Sequence, residues 1–255
     1  MADLADMVRR HDPDRFFCAL FAPAVRRGAL FTLYAFNHEL ARAHEAAREP
    51  ALALIRLQWW REVVEGAERR HEVATPLATL IAQGILPRAP LLSMIEAREA
   101  EADAPATLAD FTELMRRGPG ALSVAAGMVL GADAAVQARL RDLGTAFGVA
   151  GTLRNVPALA CQQRCLLPRD LLAEAGLVPE AAFNDPESVL AAVRPVLVAR
   201  ARALLGRAQK LPRAVVAAAL PAIFIRRDLV QGPPIGPRGA GDRWAVLWAA
   251  ARRMV

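Results

Sequence analysis

The sequence predicts an all-α fold, on three observations. Helix formers dominate while strand formers are sparse: alanine, leucine and arginine recur throughout, and Tyr34 is the single tyrosine. Apolar residues recur at spacings of three and four, and proline and glycine cut the chain into helix-length pieces. Hydrophobic residues fill 55% of 255 positions, enough for a sizeable core, and no repeat or shift in composition divides residues 1–255 into more than one domain.

Taken in order, a short N-terminal helix is expected to end near Pro23. A second runs from about Val25 to Ala47, with Leu30, Leu33, Phe36 and Leu40 as its apolar stripe. Pro50 opens a third, since a proline in the first turn forfeits no hydrogen bond there, and Leu54, Leu57, Gln58 and Arg61 follow at three and four. In this third helix the adjacent Trp59 and Trp60 must point in different directions, so one is expected in the core. Further helices are expected at about 76–83, 90–102, 107–131, 133–155, 186–210, 212–231 and 242–254. Gly118-Pro119 should kink or split the one at 107–131. The connections are 156–168 and 231–242, the second with the Pro/Gly density of a linker. On the last helix Trp244, Leu247, Trp248 and Ala251 share a face beside Arg243, Arg252 and Arg253. Such a face either docks peripherally on a membrane or a partner, or packs back onto the core, which is the plainer expectation.

A formal charge of +6 suggests an anionic partner: nucleic acid, an acidic membrane surface or a diphosphate. The charge is almost all arginine in scattered pairs such as Arg9-Arg10 and Arg116-Arg117, without a basic block or nucleic-acid motif, so nucleic acid is not the expected partner. Cys18, Cys161 and Cys165 cannot form a fully paired disulfide framework, which suits a reducing compartment, and no histidine stands near Cys161 and Cys165 to complete a zinc site. The N-terminus has acids before its basic pair and no apolar stretch of signal type. The longest apolar run, Ala214 to Ile225, contains Pro221 and falls short of the ~20 residues a spanning helix needs. The expected location is the cytoplasm, with contact at most peripheral to the inner membrane.

Four blocks in order, DRFFCALFAP, RRGALFTLYAF, EPALALIRLQWWRE and RCLLPRDLLAEAGL, resemble the squalene and phytoene synthase family of head-to-head prenyltransferases, over roughly Asp12 to Leu229. The resemblance implies an isoprenoid-synthase-like helical bundle with a central cavity. For working members it implies two facing aspartate-rich motifs that hold magnesium on the diphosphates of two prenyl substrates. Carboxylates at i and i+4 share a helix face, and hard oxygen donors suit that metal.

Here those motifs are degraded. Where the family has LYAFCRELDDIVDE this chain has LYAFNHELARAHEA, so the leading aspartates fall on Ala41 and Arg42, the final one on Glu45, and the diphosphate-binding arginine on His38. Only Tyr34 stands as in the family. Where the family has QLTNILRDVAED this chain has GVAGTLRNVPAL: glutamine and asparagine become Gly148 and Gly151, and the two aspartates become Asn155 and Leu159. Arg154 and Arg164 remain, while Pro157 is expected to break the helix, with Asn155 as an alternative cap before it. By the resemblance, Tyr34, His38, Glu45, Arg154, Asn155 and Arg164 are the candidates for lining a remnant cavity, with no catalytic residue and no metal ligand among them.

The LRNVP second motif, the LLP block and the late segment LPRAVVAAALPAIFIRRDLV resemble one branch of the family, the complex I assembly factors. That implies a non-catalytic assembly or scaffold role, a respiratory-complex subunit as partner, and an isoprenoid or lipid-like ligand in the old cavity. No cofactor is expected. Magnesium enters only under the alternative, an active prenyl transferase whose ligands have moved to acids such as Glu39, Glu45, Glu62 and Glu65.

Overall fold

In the computed structural model, which describes residues 2–45, 50–232 and 238–255, the regular elements are all helical. A lone antiparallel bridge joins Lys210 to Met254. The N-terminal piece divides into α1 (Ala2–His11) and α2 (Pro13–Ala19) because Asp12 caps the second: its carboxylate accepts the Arg15 N–H at 3.1 Å, and Pro13 takes the first position. Then come α3 (Ala24–Glu45), α4 (Pro50–Glu65), α5 (Ala74–Ala82), α6 (Arg88–Ala100), α7 (Leu108–Met115) and α8 (Ala121–Val129). Thr107 and Asp110 close a capping box at the start of α7. The expected split at Gly118-Pro119 takes the form of a π-helical turn, Arg116–Gly120, between α7 and α8.

The 28-residue α9 (Ala134–Cys161) runs straight through Pro157, against the expectation that this proline ends it. An internal proline costs about 3 kcal/mol. Val156 and Ala160 on either side of it are buried, and burying such apolar groups offsets a cost of that size. Asn155 therefore sits within the helix and caps nothing. Two short helices, α10 (Arg169–Glu174) and α11 (Ala181–Asn184), lie between the expected connection at 156–168 and the helix expected from 186, where no element was expected. The chain closes with α12 (Pro186–Leu205), α13 (Val216–Ala219), α14 (Pro221–Gln231) and α15 (Ala240–Arg252). Of the expected linker at 231–242, positions 233–237 lie outside the described residues.

The larger apolar cluster gathers Leu30, Leu33, Phe36 and Leu40 of α3 with Leu57 and Trp60 of α4. A second joins Val149 and Leu153 of α9 to Val189, Val193 and Leu197 of α12. Helix α9 packs on α8, α12, α14 and the π-helical turn. Its Gly148 has to be a glycine: a Cβ there would come within 2.7 Å of Pro119 Cγ and 2.9 Å of Met115 Sδ.

Of the tryptophan pair, Trp60 is buried and Trp59 half-buried. Helix α15 corrects the expectation of a face packed back onto the core. It buries Val246 and Ala249, whereas Trp244, Leu247 and Trp248 stand 70%, 40% and 61% exposed. The Arg252 guanidinium lies over the Trp248 ring at 4.1 Å. No helix among the described residues is long and apolar enough to cross a membrane.

Candidate functional site: an arginine-lined cavity

A cavity of about 590 Å³ opens between α2, α3, α6, α9 and the π-helical turn. One stripe of α9 forms its wall: Gly148, Gly151, Asn155 and Ala158, continued by the C-cap Gln162, recur at three and four and face the same space. Apolar surface comes from Met94, Met115, Leu122, Phe147 and Leu166.

Among the described residues three carboxylates reach this space, and each is held by arginine. Asp12 binds Arg15 at 2.7 Å, and that guanidinium also lies 4.1 Å from the Phe147 ring centroid. Burial alone would lower the Arg15 guanidinium, but the charge and hydrogen bond of Asp12 carry it above its usual value. Asp14 binds Arg238 at 2.9 Å, and Arg238 binds Asp228 at 2.6 Å as well. The Arg238 side chain is only 8% exposed and rests 4.3 Å over Phe224; burial opposes its charge, and the two aspartates more than compensate, raising it. Glu101 is buried and takes Arg98 at 2.8 Å and Arg164 at 3.3 Å. Behind this group the His44 Nε2–H donates to the Arg98 carbonyl at 2.7 Å, and burial lowers the imidazole below its usual range.

Of the residues that the sequence singled out, Arg154, Asn155 and Arg164 line the cavity. Arg154 is exposed and makes no ion pair among the described residues. Tyr34 does not line it; its ring is buried in the core, which pushes the phenol up. His38 stacks on His11 with centroids 4.0 Å apart, and it is His11 that lines the cavity. Glu45 ends α3, and its side chain lies outside the described residues. Sequence reasoning missed Asp12, Asp14, Arg15, Arg98, Glu101 and Arg238. Two pairs carried a local signal, an acid and an arginine three residues apart: Asp12–Arg15 and Arg98–Glu101.

Magnesium does not suit this donor set. The former motif positions present Ala41, Asn155 and Leu159 to the cavity, and its three carboxylates already face guanidinium groups. Among the described residues no group of three or more His, Cys, Asp or Glu could hold a metal ion. Of the four acids offered for a relocated site, Glu39 pairs with Arg42, Glu62 pairs with Arg69, Glu65 is exposed, and none of these three lines the cavity, while the side chain of Glu45 lies outside the described residues.

The squalene/phytoene synthase family matches this chain over residues 8–232. The chain belongs to that family. Members solved by crystallography share the fold: a dehydrosqualene synthase in complex with ligand superposes with a TM-score of 0.70 at 14% identity, covering 98% of this chain and 94% of that one. The squalene synthase HpnC from Alicyclobacillus acidocaldarius gives 0.68 at 18% identity, covering 99% and 93%. Curated relatives carry a different description. The mouse protein named NADH dehydrogenase (ubiquinone) complex I, assembly factor 6 is 26% identical over 228 residues, covering 86% of this chain and 68% of its own length. Its human counterpart is 25% identical over 182 residues, covering 69% of this chain, which spans 55% of the human protein.

Proposed function

We propose that this family member is a non-catalytic scaffold that assists assembly of respiratory complex I, as its named relatives are described to do. The observation that carries the reading is the cavity itself: the former motif positions that line it are Ala41, Asn155 and Leu159, and among the described residues every carboxylate that lines the space is paired with arginine. Catalysis by the working members needs a cation to draw off the diphosphate, and here the described residues of the wall offer fixed cations and no carboxylate free of arginine to hold a mobile one. The partner is a complex I subunit, and the cavity keeps an isoprenoid or lipid-like occupant.

The protein belongs, on this reading, to the cytoplasm and touches the inner membrane peripherally through Trp244, Leu247 and Trp248. Two measurements test it together. Purified protein with farnesyl or geranylgeranyl diphosphate and magnesium should release no diphosphate, and deletion of the gene should lower the amount of assembled complex I. Measurable turnover, or normal complex I after deletion, overturns the reading.

A further inference from the structure

The charges around the cavity are unevenly shared. At one end Arg15 and Arg238 face Asp12, Asp14 and Asp228, so that end is closed by its own ion pairs and carries one surplus negative charge. At the other, among the described residues, Arg98 and Arg164 share Glu101 and Arg154 lines the cavity without an ion pair, which leaves two positive charges over. The two groups share no ion pair among the described residues, and the apolar side chains Met94, Met115, Leu122 and Phe147 line the same space. A surplus of two matches a phosphate monoester, which carries about −1.5 to −2 at neutral pH. The guanidinium fork suits its oxygens.

We infer that the cavity takes up a single-chain amphiphile with one phosphate monoester head and grips that head with Arg98, Arg154 and Arg164, without a metal ion. This rests on the reading that the cavity binds its occupant and does not turn it over. The head lies at the Glu101 end, since the other end repels it, and the chain lies along the apolar side chains. A diphosphate brings more negative charge than these residues balance, so it gains nothing over the monophosphate unless a metal comes with it.

Gly151 provides a clean way to block the chain. It lines the cavity within α9, and nothing lies within 4 Å of where its Cβ would stand. A larger side chain there enters the cavity and removes a mid-helix glycine, so the fold is kept.

The experiment is equilibrium binding of farnesyl monophosphate to the full chain, in EDTA and in magnesium, beside farnesol and inorganic phosphate, with phosphate release followed in the same samples. The expected result is saturable binding in EDTA that magnesium does not alter, with farnesol and inorganic phosphate each at least about tenfold weaker. Arg154→Gln, which breaks no ion pair among the described residues, should weaken binding about tenfold to a hundredfold. Gly151→Phe should abolish binding with no fall in Tm, and Gly151→Ala should keep it. Equal affinity for farnesol, a requirement for magnesium, binding to inorganic phosphate alone, or full affinity in Gly151→Phe each overturns the inference and leaves the scaffold reading standing. Phosphate release would overturn the scaffold reading instead.

Discussion

Replacing Arg238 with methionine is the most exacting test of the ion pairs beside the cavity. Arg238 is 8% exposed in its side chain, and its partners Asp14 and Asp228 are 13% and 9% exposed, so the substitution strands two carboxylates with little water to solvate them. Breaking a buried pair by removing one partner costs about 3–5 kcal/mol, chiefly through the charge left behind. Methionine keeps much of the packing over Phe224, so a lost apolar contact would account for little of the deficit. For a chain of this size the fall in Tm should be about 6–20 °C. Thermal unfolding followed by circular dichroism measures the fall in Tm and urea unfolding the free energy, and the triple variant with Asp14→Asn and Asp228→Asn should recover part of the loss because no charge remains to be stranded. A deficit below about 1 kcal/mol, or a triple variant no better than the single one, would show that water solvates these aspartates.

The two cavity glycines of α9 should behave oppositely. Gly148→Ala, whose Cβ meets Pro119 and Met115, should destabilise by about 1–3 kcal/mol in thermal unfolding, whereas Gly151→Ala, in open space, should stabilise by about 0.5–1 kcal/mol. His44 should make stability pH-dependent: because burial lowers its folded value, the unfolded chain binds the proton first as pH falls below about 6.5. That contribution is complete above about pH 6.5 and is lost as pH falls through the lower folded value, and urea titrations should show the slope vanish in His44→Gln. On α15, Trp244→Ser with Trp248→Ser should cut sedimentation with anionic vesicles severalfold while moving stability by no more than about 0.5 kcal/mol per site, as both rings are largely exposed.

Helix class and most helix positions were legible because they depend on local spacing, as the stripe of Leu30, Leu33, Phe36 and Leu40 shows. Pro157 was not, since its effect depends on whether its neighbours find a buried site, and that is decided by elements far away in sequence. The motif positions were readable through the resemblance, and Arg154, Asn155 and Arg164 do reach the cavity. Tyr34 shows the limit of that route: a residue standing as in the family need not face the same space. Asp14 and Arg238 belong to no shared stretch of sequence, and neither do Glu101 and Arg164, so nothing local announces that the members of either pair meet.

The link between Asp14 and Arg238 joins residues 224 positions apart. During synthesis the aspartate emerges early and waits for its arginine; at 5–20 residues per second the interval is roughly 10–45 s. Helices α1 to α14 can form in that time, but this end of the cavity is completed only when position 238 has left the ribosome. A ribosome that stalls before it therefore leaves a helical product in which Asp14 and Asp228 lack the guanidinium that pairs with them.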